Sequence, residues 1–291
     1  MKSLSKTQKI GKICKVFHIS RQAFYKSQKQ AIRKKDIENQ IVDLVREERK
    51  IQPKLGVKKL YFLLKEKIAS IGKIGRDKLF NILKNNDLLV KRKRKISGTN
   101  YQSHSFYKWK NIIENQEIKS TNEVWVSDIT YLRKTGGFSY LFLVSDLYSR
   151  KILGWNLSQS LGVEGGISAL KMALKWRKNK TKKLIHHSDK GGQYCCGEYV
   201  KVLKNNKIDI SMTGKNHCYE NATAERINGI LKQEFLLGRT FKSFKETQKS
   251  VHQAIQIYNE KRPHWALNLL TPNQVFFQNQ TIYNQKTDNL F

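Results

Sequence analysis

At residue 122 the apolar pattern of this chain changes period, and that change limits the fold more than any other feature. From there "EVWVSDITYL" (123–132), "FSYLFLVSDL" (138–147) and "KILGWNL" (151–157) read as short strands rich in β-branched and aromatic residues. "RKTGG" joins the first two and "YSR" the second and third, connections short enough for a three-stranded antiparallel meander. The segments that follow alternate: helix in "GVEGGISALKMALKWRKN" (162–179), a short buried strand in "KLIHHSD" (183–189), helix in "CCGEYVKVLKNN" (195–206) and strand in "IDISM" (208–212). Five strands with interleaved helices predict an α/β fold, a mixed sheet with flanking helices.

Ahead of 122 the spacing is helical. Ile10, Ile13, Val16 and Phe17 fall on one helix face, the pattern breaks over 18–20, and Ser20 is placed to cap the next helix. This outlines a helix-turn-helix over 1–35. A second outline, over 36–95, comes from "LGVKKLYFLLKEK" (55–67) and "GRDKLFNILKNNDL" (75–88). The basic run "VKRKRKISGTN" (90–100) leads into an expected linker over 96–120, and the sheet region occupies 121–285.

Charge points to the partner. The 291 residues carry 56 Lys and Arg against 23 Asp and Glu, a net charge of +33, which implies a polyanion, with nucleic acid as the first candidate and a membrane surface as the competitor. Residues 1–120 hold 31 basic and 10 acidic side chains and residues 121–291 hold 25 and 13, so the front is the more basic part. No apolar run reaches the roughly 18 residues of a membrane span, and the N-terminus lacks the apolar core of a signal peptide. The expectation is a soluble cytoplasmic chain. Cys14, Cys195, Cys196 and Cys218 lack the Cys-x-x-Cys spacing of structural zinc sites, so no zinc and no disulfide is expected.

In so basic a chain, acids inside apolar segments stand out. Asp128 interrupts the first strand, where an unpaired carboxylate would cost several kcal/mol. Asp189 ends the "LIHHSD" strand before Lys190, Gly191 and Gly192, at the strand end where open α/β sheets place ligands. In "CYENATAERINGILKQE" (218–234), a helix beginning near Asn221 puts Asn221, Glu225, Asn228 and Lys232 on one stripe at about 100° per residue. Ala224, Ile227, Ile230 and Leu231 take the packing side. Glu234 falls about 180° from Glu225 and needs a buried donor. Three carboxylates can hold hard cations such as Mg²⁺, whose oxygen ligation suits phosphodiester chemistry. Asp146 ends its strand much as Asp128 interrupts its own, and can instead bind turn backbone donors or Arg150.

"WVSDIT", "YLFLVSDLYSRKILGW", "HHSDKGGQY", "SMTGKNHCYENATAER" and "YNEKRPHWALNLLTP" together resemble the integrase-core (DDE) transposases of bacterial insertion sequences, relatives of retroviral integrases. The resemblance implies an RNase H-like fold and assigns Asp128, Asp189 and Glu225 as catalytic metal ligands, with 35 residues between the last two as in the D,D-35-E group. It removes Asp146 from the ligand set. It further implies Mg²⁺ or Mn²⁺, two ions, and attack by water and then by a DNA 3′-hydroxyl. Implied partners are double-stranded DNA, further copies of the chain on paired ends, and an upstream-frame DNA-binding partner or fusion; the implied location is the bacterial nucleoid. The sequence departs from the family where Glu220-Asn221-Ala222 replaces the usual Asp-Asn-Ala.

Lys232 and Asn228 would face the DNA end from the helix of Glu225, and Lys215, Asn216 and Tyr219 from the loop before it. His187, Gln193, Tyr194 and Asn221 are read as supports, with one of His186 and His187 lining the site and the other entering the core. Arg262, His264 and Trp265 are read as structural, Trp265 as core. Two other readings stand beside the transposase: a nuclease that cuts without joining, and a non-catalytic helix-turn-helix regulator.

Overall fold

Ser20 starts the long N-terminal helix as expected, its Oγ accepting the Ala23 N–H at 3.0 Å. The computed structural model describes residues 10–91, 105–114, 116–179, 181–214 and 221–279. They form two compact units, residues 1–51 with 55–92, and residues 52–54 with 93–291.

The first unit contains α1 (Ile10–Val16), α2 (Arg21–Ile51), α3 (Val57–Ile71) and α4 (Arg76–Asn85). No Gly or Pro occurs between 21 and 51, so α2 runs unbroken through 35 and 36, where a boundary was expected. Its C-terminal half supplies Ile41, Val42 and Val45 to a core shared with Leu60, Leu64 and Ile68 of α3 and Leu79, Ile82 and Leu83 of α4. Each set follows the three-to-four spacing of one helix face. No residue of α2 before Ile41 is buried.

The second unit contains β1 (Val124–Lys134), β2 (Gly137–Asp146), β3 (Ile152–Ser158), α5 (Val163–Leu174), β4 (Ile185–Ser188), α6 (Gly192–Cys195), α7 (Gly197–Asn205), β5 (Asp209–Met212), α8 (Ala222–Gln233) and α9 (Phe244–Glu260). The sheet order is β3-β2-β1-β4-β5; β1, β2 and β3 form the antiparallel meander, and β4 and β5 run parallel to β1. This is the RNase H-like mixed sheet. All five strands lie within two residues of their expected limits. Helix ends differ more: α5 stops at Leu174, and extended backbone at Cys196 splits the expected 195–206 helix into α6 and α7. Part of the expected 96–120 linker packs on the sheet edge. Ile112 N–H donates to Ser211 Oγ at 3.0 Å and Met212 N–H to Lys110 O at 3.3 Å, covering β5.

Strand alternation sends side chains to two cores. Trp125, Phe142, Val144 and Leu153 pack with Ala169, Leu170, Tyr199 and Leu203 on one face. On the other, Leu132, Leu141, Leu143 and Ile152 pack with Ile227, Ile230 and Leu231 of α8 and Val251, Ile255 and Tyr258 of α9. Gly154 lets β3 approach α5: a Cβ there would press on the Ala169 carbonyl and stand 2.7 Å from Ala173 N. Gly154→Ala is therefore expected to lower stability by about 1–3 kcal/mol, read as a reduced urea midpoint at unchanged slope. No described helix is long and apolar enough to cross a membrane.

Candidate active site

The parallel pairing of β1 with β4 sets Val124 beside Ile185, Trp125 beside His186 and Val126 beside His187. Two further steps along that register bring Asp128 level with Asp189, the first residue beyond β4. Asp189 is fixed by the turn that follows, its Oδ1 accepting the Gly191 N–H at 2.9 Å. Asp128 Oδ1 accepts the Ile129 N–H at 2.9 Å, and its Oδ2 accepts Asn228 Nδ2 at 2.7 Å. Burial first, and then the negative charge of Asp189, push the Asp128 carboxyl up to about 7. The Asn228 and Ile129 donors pull it back, and Glu225 adds a smaller rise. Asp189 and Glu225 thus both act electrostatically on Asp128.

Helix α8 is tied to β1 on either side of Glu225. Asn221, at its N-terminus, donates from Nδ2 to Ser127 O at 3.2 Å, and Asn228 holds Asp128. The two asparagines sit seven residues apart, two turns of helix, so α8 lies against consecutive residues of β1. Glu225 lies between them on the same stripe and is exposed. Lys232 lies one turn beyond Asn228 and is half-buried; burial lowers its pKa while Asp128 raises it. A Cβ on Gly229 would meet nothing within 4 Å, so that side of the stripe is open. As placed, no three His, Cys, Asp or Glu side chains among the described residues converge closely enough to hold one metal ion.

Two models of the integrase core domain match the chain, over residues 119–218 and 206–272. The transposase InsF of insertion sequence IS3A from Escherichia coli K12 is 36% identical over 202 residues, covering 69% of each chain. The chain belongs to the integrase-core transposases of bacterial insertion sequences. A 31 kDa protein of insertion element IS600 from Shigella sonnei is 31% identical over 89% of this transposase and 96% of that protein. The magnesium-bound catalytic core of HTLV-2 integrase aligns at 19% identity with a TM-score of 0.42, covering 53% of the transposase and 96% of that core. The transposase is a polynucleotidyl transferase of the DDE type that acts on DNA.

The supporting residues divide. Neither His186 nor His187 lines an open face of the transposase; both are buried. His186 Nε2 bonds Ser127 Oγ at 2.7 Å and Tyr199 Oη at 2.9 Å, and burial with the His187 charge lowers its pKa to about 3, so it stays neutral. His187 Nδ1 bonds Ser211 Oγ at 2.9 Å. Alternation puts the two rings on opposite faces of β4; Tyr199 of α7 covers His186, while His187 meets Ser211, which the non-helical Asn111–Ile112 segment covers. Gln193 donates from Nε2 to Leu161 O at 3.1 Å, holding the loop before α5 against α6. The buried Tyr194 ring packs on His186 and Tyr199. Burial raises its hydroxyl pKa far above the ordinary value, with Tyr199, Asp189 and Asp128 adding to the rise. Lys215, Asn216, Tyr219 and Glu220 lie outside the described residues.

Asp146 is engaged elsewhere. Its Oδ1 accepts the Ser149 N–H at 2.7 Å and Oγ–H at 2.6 Å, and its Oδ2 accepts the Asn122 N–H at 2.8 Å. Glu234 finds its donor in Arg262, bidentate at 2.8 and 2.7 Å, and Arg262 is 1% exposed. Trp265, expected in the core, is 57% exposed. The chain turns there in a 3-10 helix over Trp265–Leu267, and the buried place goes to His264, whose ring packs edge-on to Tyr258 at 4.9 Å. Two contributors went unread in the sequence. Ser127 serves His186 with its hydroxyl and Asn221 with its carbonyl, and Arg150 donates to Thr223 Oγ1 at 2.7 Å in the first turn of α8. A buried serine in a strand carries no signal of either role.

Asn228 was expected to face DNA; instead it is buried against Asp128. Asn228→Ala should leave Asp128 unoriented and reduce the rate of DNA joining by about 10- to 100-fold, the usual cost of losing a ligand's hydrogen-bond partner. A single-turnover assay reads this directly.

Proposed function

We propose that Asp128, Asp189 and Glu225 hold two divalent cations, Mg²⁺ or Mn²⁺, with which the transposase cleaves the ends of its element and joins the freed 3′-hydroxyl to target DNA. The observation that carries this reading is that the β1–β4 register brings Asp128 level with Asp189, whose charge, after burial, pushes the Asp128 carboxyl up to about 7. The donor set fits the ions: every ligand is a carboxylate oxygen, the preference of hard cations, and positive charge there relieves the repulsion between Asp128 and Asp189. Bound there, such cations activate the attacking oxygen and offset charge on the leaving one.

The chain's own residues do the positioning. Asn228 and the Ile129 N–H orient Asp128, and the Gly191 N–H orients Asp189. Lys232 contributes a point charge for a phosphate oxygen near Asp128. In the first step water attacks phosphorus at the element end; one P–O bond forms, another breaks, and a 3′-hydroxyl leaves. In the second that hydroxyl attacks a target phosphodiester. One phosphodiester is exchanged for another, so joining needs no nucleotide energy source. Each of two ends requires its own active site, which makes a homo-multimer the working species.

The test is purified transposase with Mg²⁺ and a labelled duplex carrying the element's terminal repeats. Nicked product should appear first and joined product after it. Nicking without joining would favour the nuclease reading, and sequence-specific binding without either product the regulator.

A further inference from the structure

Among the described residues of the two helix-turn-helix outlines in the first unit, only those of the second close around a core. Four residues, Gly72–Lys73–Ile74–Gly75, separate α3 from α4, and Ile74 is buried in that turn with Leu60, Leu64, Leu79 and Leu83. The described residues of the first outline contribute no comparable cluster: Val16, Phe17, Ile19 and Tyr25 are all exposed. Residues 54–91 carry ten Lys and Arg against three Asp and Glu. The surface of this closed three-helix arrangement therefore suits a phosphate backbone.

Helix α4 has two distinct sides. Leu79, Ile82 and Leu83 enter the core. At about 100° per residue the opposite side carries Asp77, Asn81 and Lys84, with Phe80 at its margin. Asp77 is engaged by Arg76, Nε to Oδ1 at 3.0 Å, which offsets its charge toward phosphate. Phe80 is 44% exposed on a helix whose other outward residues are charged or amide. A large apolar ring and a carboxamide, adjacent on the outer side of the second helix of a basic helix-turn-helix, match two base edges of the major groove. Asn pairs bidentately with adenine, and an apolar side chain meets the thymine methyl.

We infer that α4 is the helix with which this transposase reads DNA sequence, Asn81 on an adenine and Phe80 on a neighbouring thymine methyl in the major groove. Lys84 and the lysines of α3 bind phosphate and fix the register. This reading does not rest on the metal chemistry, so either can fail alone.

The test uses the full chain in EDTA, where DNA is bound without being cut. A randomised duplex library is selected on the protein and sequenced, and affinities for the best duplex are measured by fluorescence anisotropy. Wild type should enrich a motif with an adenine and a nearby thymine. Asn81→Ala should erase the adenine preference and Phe80→Ala the thymine preference, each weakening the best duplex by roughly 5- to 150-fold. Asn81→Gln should weaken the adenine preference without creating another. Lys84→Ala should lower affinity for all duplexes alike and reduce the salt slope by about 1. Phe62→Ala, the same change at an exposed Phe of α3, should leave the preference intact. Because Phe80, Asn81 and Phe62 are exposed, the variants should keep the wild-type melting temperature. No enriched motif, a motif that survives both Asn81→Ala and Phe80→Ala, or one altered by Phe62→Ala would overturn the inference.

Discussion

Asp189→Asn is expected to stop both nicking and joining, lowering each rate by at least about 10³-fold, the equivalent of several kcal/mol of lost charge stabilisation. The substitution keeps the shape of the side chain, and the amide oxygen can still accept the Gly191 N–H that now bonds Asp189 Oδ1 at 2.9 Å. What it removes is negative charge next to Asp128. Glu225→Gln should do the same, and being exposed on α8 it should do so without loss of stability. Asp146→Asn provides the contrast. That carboxylate is fully buried and takes three donors from Asn122 and Ser149, so its loss should lower the melting temperature rather than act on the chemical step. Joining that persists at the wild-type rate in Asp189→Asn would remove this residue from the reaction.

The second large effect is on stability and has the opposite sign. Without divalent cations, the Asp128 carboxyl sits at about 7 in the folded chain, against 3.8 for an ordinary aspartate. Between those values the folded state holds a proton that the unfolded state releases. Stability therefore falls as pH rises from about 4 to 7 and stays low above that window. Asp128→Asn cannot ionise, so in EDTA at pH 8 it should be more stable than wild type by on the order of 2–3 kcal/mol, a figure reduced for the partial exposure of Asp128. At pH 4 the two should coincide. Urea unfolding across this range measures the difference, and a gap independent of pH would contradict the cause given. Millimolar Mg²⁺ should raise the stability of wild type and leave the variant nearly unmoved. A variant that gains stability while losing activity is what a site of crowded like charges produces.

Much of this was legible in the sequence, for identifiable reasons. The meander could be read because β-branched runs alternate with short turn sequences, whereas the level placement of Asp128 and Asp189 depends on the β1–β4 register, which is fixed only in the folded sheet. The stripe from Asn221 to Lys232 follows from helix geometry. Other features depend on what covers each face, which periodicity does not report. His186 and His187 point to opposite sides of β4, yet both sides are covered, one by α7 and the other at Ser211 by the Asn111–Ile112 segment, so neither ring reaches an open surface. Asn228 shares a stripe with Glu225, but lies on the flank turned to β1 and holds Asp128 instead of facing outward. Glu234 signalled that it needed a donor; Arg262, 28 residues away, could be named only once the chain was folded. Trp265 is exposed because a 3-10 turn, which apolar spacing does not encode, gives its place to His264.

The most direct test of the three-acid site is Mn²⁺ uptake, followed by the electron paramagnetic resonance signal of free Mn²⁺ at pH 7.5. Wild type should remove Mn²⁺ from solution in saturable fashion. Asp128→Asn and Asp189→Asn should each abolish most of that uptake, and Glu225→Gln should weaken it. Uptake equal to wild type in an Asp128→Asn, Asp189→Asn double variant would place the metal elsewhere and contradict the account.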